Sequence, residues 1–284
     1  MSVAIIEAGG FYEVDNGNYS VIPGLSLSLP FLATTVPFPQ QPLGDWGLVS
    51  VPQVGALNRQ IHYAQGKTLS GSSALNAIAY HRGTNGTYQR WAELVNDQTY
   101  TFPNLLPYFQ KSCNLTPPND AKRQTPNATV IYDAAAFSAT GGPLQVSWCN
   151  WVDPALTWFQ KAFESIGLPI SDLNFNSGTL SGFSAWITST ISPVDAKRSS
   201  SQASFLKHAI ANTNIVVYTQ AQARQILFNS TGCGADSSFA ASGVLVTTQN
   251  VNYTISANKE IILSAGVYHS PQLLMVSGTR RRIF

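Results

Sequence analysis

Charged side chains are the first shortage. Only 11% of the 284 residues are Asp, Glu, Lys or Arg, under half the roughly 25% usual in soluble domains. The formal net charge of +2 comes with no basic run before the last few residues. No face is therefore built to meet a phosphate backbone, and nucleic acid is excluded as an expected partner. Cysteine is scarce too. Cys113, Cys149 and Cys233 stand at no metal-ligand spacing, which leaves either one disulfide plus a free thiol or three buried thiols, and no expected metal site. Long apolar runs are missing: residues 16–44 carry no charge, yet Pro23, Pro30, Pro37, Pro39 and Pro42 forbid a continuous membrane helix there. Neither a signal peptide, an internal repeat nor a low-complexity tract is visible.

What is present is a core. With 44% hydrophobic and 11% aromatic residues, the chain can fill one large domain or two ordinary ones. Its polar surface is rich in Ser, Thr, Asn and Gln. Asn18, Asn85, Asn114, Asn127, Asn229 and Asn252 each open an N-x-[ST] sequon without proline in the middle, a pattern expected of a secreted glycoprotein.

The apolar run Val3-Ala4-Ile5-Ile6 ends in Glu7 and Gly9-Gly10 and reads as a buried parallel strand with an acid at its carboxyl end. A proline-punctuated excursion follows to about residue 60. The spacing of Leu75, Ile78 and Ala79 predicts a helix over 72–82, capped by Ser72 or Ser73 and stopped by Gly83. Asp153-Pro154 opens a second helix, with Leu156, Phe159, Phe163 and Ile166 along one face and Gly167 at its end. A third is expected near 199–211. Short β-rich runs at 215–218, 226–228, 244–246 and 261–263 predict a small antiparallel sheet. Ser270-Pro271 then predicts a helix start, after a strand and Gly266. Together these elements give an α/β chain with α+β features.

Two stretches carry chemistry. Glu7 stands where a dinucleotide-binding fold places the acid that accepts from an adenosine ribose, about 20 residues beyond a glycine-rich first turn. The plainer reading is a solvated acid at a strand end. Gly66 to Ala74 packs glycines and hydroxyl residues ahead of the expected helix, a cradle whose backbone N–H groups can approach a diphosphate. Here the plainer reading is a serine-rich loop and cap. Ser72, Ser73 and Ser184 also raise a serine hydrolase, but none lies in a G-x-S-x-G elbow.

Taken together the motifs resemble those of the glucose-methanol-choline (GMC) flavin oxidoreductases. Gly66-Lys67-Thr68-Leu69-Ser70-Gly71-Ser72-Ser73-Ala74-Leu75-Asn76, running on to Tyr80-His81-Arg82-Gly83, is similar to the first signature. Ser264-Ala265-Gly266 with Ser270 to Gly278 resembles the second, and Ile6-Glu7-Ala8-Gly9-Gly10 the ribose-binding strand end. The resemblance implies an incomplete Rossmann-like FAD-binding domain, residues 1–112 and 196–284, interleaved with part of a substrate domain, residues 113–195. It implies that Glu7 and Ala8 hold the FAD ribose, that Gly71 and Ser72 lie along the pyrophosphate, and that Asn76, Ala77, Ile78 and Ala79 pass beside the flavin. Ala223 would meet the adenine.

The implied activity is oxidation of a CH–OH group in a small alcohol or sugar-like donor, with oxygen or a quinone-like molecule as acceptor. Two departures stand out. Ser70 replaces a glycine, and the tail from Thr279 to Phe284 does not continue the second signature. None of His62, His81, His208 or His269 matches the catalytic histidine of the family. The expectation is a secreted parent enzyme of which this sequence is a fragment, inactive as written, lacking the first phosphate loop and the catalytic region. The alternative is a catalytically dead secreted remnant or binding module.

Overall fold

Residues 2–26, 36–138, 140–231 and 238–278 are described by the computed structural model. Pro30, Cys233 and the tail from Thr279 to Phe284 lie outside them. The chain divides into two units, one of residues 1–20, 28–75 and 209–284 and the other of 21–27 and 76–208. The expected functional borders after 112 and 195 both fall inside the second unit.

In the first unit, strand Ala4–Ile6 pairs in parallel with Val216–Tyr218, Ala4 opposite Val216. The parallel pairing is as expected from the apolar run. Full burial is not: Ala4 is exposed and Ile5 and Ile6 are half-buried, since the pair has no third strand among the described residues. The run at 215–218, expected in the antiparallel sheet, belongs to this pair instead.

The antiparallel sheet has three strands, Gln222–Thr231, Ser238–Thr248 and Val251–Ser256. Gln249 and Asn250 turn its second hairpin with φ of 49° and 64°, a left-handed pair whose twist matches that of the flanking strands. Ala221, Val244 and Val246 are buried under it, with Ile6, Ala223, Tyr253, Ile255 and Ile261 packed against them. Ile261 joins the sheet's core without forming a strand. Helix Gly266–Val276 starts ahead of the predicted Ser270 cap and carries Pro271 inside it.

The second unit pairs Cys113–Leu115 in parallel with Leu144–Val146. One core cluster gathers Ala128, Val130, Trp148, Val152 and Trp186, another Cys113, Ala136, Phe137 and Val146. Helix Pro154–Ser165 starts as predicted, with the Asp153 carboxylate accepting the Ala155 N–H at 2.9 Å. Leu156 reaches the tryptophan cluster, but Phe159 and Ile166 are exposed, so only part of the expected apolar face is covered. The helix expected near 199–211 opens as a π-helical turn over Gln202–Leu206. Cys113 is buried and Cys149 exposed, both as free thiols. No helix of the described residues is long and apolar enough to cross a membrane.

Candidate cofactor-binding site

Within the first unit the strand end and the cradle are joined by backbone. A Cβ on Gly9 would lie 1.9 Å from the Lys67 carbonyl oxygen, and a Cβ on Gly66 would lie 2.3 Å from the Gly71 carbonyl carbon. Only glycine permits either approach. Gly10 pairs with Thr68, whose hydroxyl donates to the Gly10 carbonyl at 2.9 Å, as does the Leu69 N–H. The other flank is held by Ala221 and Gln220, whose N–H groups donate to the Glu7 and Gly9 carbonyls at 2.8 Å. Glu7, Ala8, Gly71, Ser72 and Ala223 are thus carried on one scaffold.

Burial raises the Glu7 carboxyl above the usual carboxylate range, opposed by the N–H groups of Gly9 and Ala8 and by the charge of Lys67. Gly9 donates to Glu7 Oε1 at 2.8 Å. A carboxylate has about four acceptor positions, so room remains for hydroxyl donors. In the cradle, the Gly66 N–H donates to Ser72 Oγ at 3.2 Å, Ser72 is exposed, and a Cβ on Gly71 would meet nothing within 4 Å. An acid beside an open, small-residue loop suits a ligand with both hydroxyl and diphosphate groups.

The predicted helix over 72–82 is absent. Gly71–Ala74 makes one 3-10 turn, so the expected α-helix does not follow the cradle. Ser70, ahead of it, has φ of 91°, a conformation suited to glycine.

Asn76 to Ala79 belong to the second unit, where they form neither helix nor strand and Ala79 bridges Ser189. Ile78 has φ of 58°; its N–H donates to Asn76 Oδ1 at 3.0 Å. Thr190 N–H donates to the Ile78 carbonyl and Tyr80 N–H to the Thr188 carbonyl, both at 2.8 Å. Ile78 is buried while Asn76, Ala77 and Ala79 are exposed, a bare edge of small side chains. Arg82, at the end of the signature, is buried and donates to the Ala136 and Asn176 carbonyls, a packing role.

Sequence reasoning missed a polar network beneath the cradle. His62 Nε2 and Asp45 Oδ2 are 2.8 Å apart, the pair almost wholly buried, with His62 stacked on Phe38. Asp45 Oδ1 accepts the Gln65 N–H at 2.9 Å. The Gln65 side-chain amide then donates to the Ala265 carbonyl and to His269 Nδ1. A Cβ on Gly266 would lie 2.3 Å from Gln65 Nε2. Desolvation depresses the His269 pKa; His81 and His208 are exposed. Among the described residues no three His, Cys, Asp or Glu side chains are placed to hold a metal.

Comparison with known proteins matches residues 5–283 to the family described as GMC oxidoreductase. Glucose methanol choline oxidoreductase atC of Aspergillus terreus is 52% identical over 98% of the chain, and patulin synthase of Aspergillus clavatus 47% identical over 98%. The chain spans 43% and 42% of their lengths. Among solved structures, an FAD-dependent oxidoreductase from Chaetomium thermophilum superposes with a TM-score of 0.80 at 28% identity, covering 97% of this chain and 43% of that one.

Proposed function

Because the chain belongs to the GMC oxidoreductase family, we propose that it supplies the FAD-binding portion of an oxidoreductase acting on the CH–OH group of an alcohol or sugar-like donor. The observation that carries this reading is the backbone lock between Gly9 and Lys67, which sets the acid Glu7 and the cradle on one scaffold. The FAD dependence of the Chaetomium thermophilum oxidoreductase supports the choice of cofactor. When bound, FAD supplies the two-electron acceptance that alcohol oxidation requires.

The chain's own residues bind and orient. Glu7 accepts from the ribose hydroxyls, Ala8 lies beside the ribose, and Gly71 and Ser72 line the pyrophosphate. Ala223 presents backbone to the adenine. In the second unit, Asn76, Ala77, Ile78 and Ala79 offer a narrow edge for the flavin, and parts of 113–195 contribute to the substrate domain.

None of the four histidines serves as the base that takes the alcohol proton. His62 is committed to Asp45, His269 is desolvated and accepts from Gln65, and His81 and His208 lie on exposed surface. We therefore propose that residues 1–284 hold the cofactor without turnover, oxygen or a quinone-like acceptor being used by the whole enzyme. The six sequon asparagines are all exposed, which supports a secreted glycoprotein as the parent.

The experiment is anaerobic. The purified chain is loaded with FAD, challenged with a panel of primary and secondary alcohols, and followed by its flavin absorbance. Retained colour without bleaching is expected. A colourless chain that takes up no FAD favours the remnant or binding-module reading, and bleaching by any alcohol overturns the proposed lack of turnover.

A further inference from the structure

Arg198 is the largest fully buried side chain among the described residues, 2% exposed. Its guanidinium does not serve the surface. Nη1 donates to the Asn76 carbonyl at 2.8 Å and to Asn76 Oδ1 at 2.7 Å. That same Oδ1 accepts the Ile78 N–H, so one side-chain oxygen ties a cation to the backbone of a residue in the left-handed region.

The placement of Arg198 is itself over-determined. Its N–H donates to the Val21 carbonyl at 2.9 Å, and it pairs with Ile191 across a tight turn in which Ser192 N–H donates to the Lys197 carbonyl. Residues 188–190 on the other arm of that turn pair with Ile78 to Tyr80. The turn therefore grips the segment twice, through backbone at 78–80 and through the guanidinium at 76. Asn76, Ala77 and Ala79 stay exposed while Ile78 is buried. A charged donor is needed for such a grip, since a bond to a charged group is roughly twice as strong as a neutral one, and a non-glycine residue at positive φ stays there only when its surroundings insist.

We propose that Arg198 is a positioning residue for the flavin edge. It acts through Asn76, fixing the Asn76–Ala79 backbone so that its exposed side is already shaped when FAD arrives. This rests on the reading of the chain as an FAD-binding GMC protein. It adds a residue more than a hundred positions from the signature, whose role no motif marks.

Two variants test it in the full chain: Arg198→Lys, which cannot make both bonds with the same geometry, and Asn76→Leu, which removes the shared acceptor. Asn76→Asp is the rescue, because it keeps an oxygen for both donors. Arg123→Lys is the control, another buried arginine, bonded to the Ala128 and Cys149 carbonyls.

Hydrogen exchange of the Ile78 amide, measured without cofactor, is expected to quicken in Arg198→Lys and Asn76→Leu and to stay slow in Asn76→Asp and Arg123→Lys. In FAD titrations the first two should bind roughly ten- to a hundred-fold more weakly, with altered visible circular dichroism of the bound flavin. Arg123→Lys should match the parent chain; Asn76→Asp is read by Ile78 exchange alone. Unchanged Ile78 exchange in both weakened variants overturns the clamp. Quickened exchange with unchanged FAD affinity and flavin spectrum overturns its role toward the cofactor. If the parent chain binds no FAD, the functional reading fails, and the exchange data still decide whether the clamp exists.

Discussion

The Gly9 backbone meets the Lys67 carbonyl so closely that a Cβ on Gly9 would lie 1.9 Å from its oxygen. Two segments far apart in sequence, one carrying Glu7 and the other the cradle, are thereby fixed to each other. Gly9→Ala forces backbone to move, since no flexible side chain is available to yield. Overpacking of this kind costs about 1–3 kcal/mol or more. An unfolding free energy from urea titration lowered by that amount, together with weakened FAD binding, is the expected result.

Glu7 gives the chain a pH signature. Its carboxyl is raised in the folded chain, chiefly by burial, so the folded state holds the proton more tightly than the unfolded one. The resulting stability is complete below the unfolded pKa and is lost as pH rises through the folded one. From about pH 4 upward the chain should lose stability that Glu7→Gln does not lose. Ribose hydroxyls bond best to the ionised acid, so FAD affinity should rise over the same window and be flat in the variant. Denaturation and FAD titrations across pH check both.

Ser70 occupies a conformation made for glycine, φ 91°. The left-handed region costs a non-glycine residue roughly 1–2 kcal/mol, and the extra freedom of glycine when unfolded offsets roughly 0.5–1 of that. Ser70→Gly is expected to stabilise the chain by about 1 kcal/mol or less, read as a higher melting temperature. The backbone bond from Ser73 N–H to the Ser70 carbonyl survives the change.

The buried Asp45–His62 pair supports the cradle from below through Gln65. Removing the Asp45 carboxylate leaves the buried His62 nitrogen and the Gln65 N–H without that acceptor, at about 1–3 kcal/mol each. Asp45→Ala should show a loss of that order in chemical denaturation, and Asp45→Asn, which keeps one acceptor, a smaller one.

How much of this was legible in the sequence depended on how local the cause was. The strand before Glu7, the helix at Asp153-Pro154 and the small-residue loop announce themselves through neighbouring residues, and all three are present. The helix over 72–82 failed because Leu75, Ile78 and Ala79 have helical spacing, while the decisive bonds come from Arg198 and from residues 188–190. No period in a sequence marks a partner more than a hundred residues away. Val216–Tyr218 looked like any other β-rich run because the parallel partner at Ala4–Ile6 leaves no trace in its own residues. Helix Gly266–Val276 likewise starts ahead of the Ser270-Pro271 pair, beside a Gln65 amide from two hundred residues upstream that donates to the Ala265 carbonyl.

Cofactor binding through Glu7 is tested most directly by an equilibrium titration of the folded chain with FAD, followed by flavin fluorescence, beside the same titration of Glu7→Ala. Saturable binding at one site, markedly weaker in the variant, is the predicted result. A folded chain that shows no saturable binding, or a variant that binds as tightly as the parent, would contradict it.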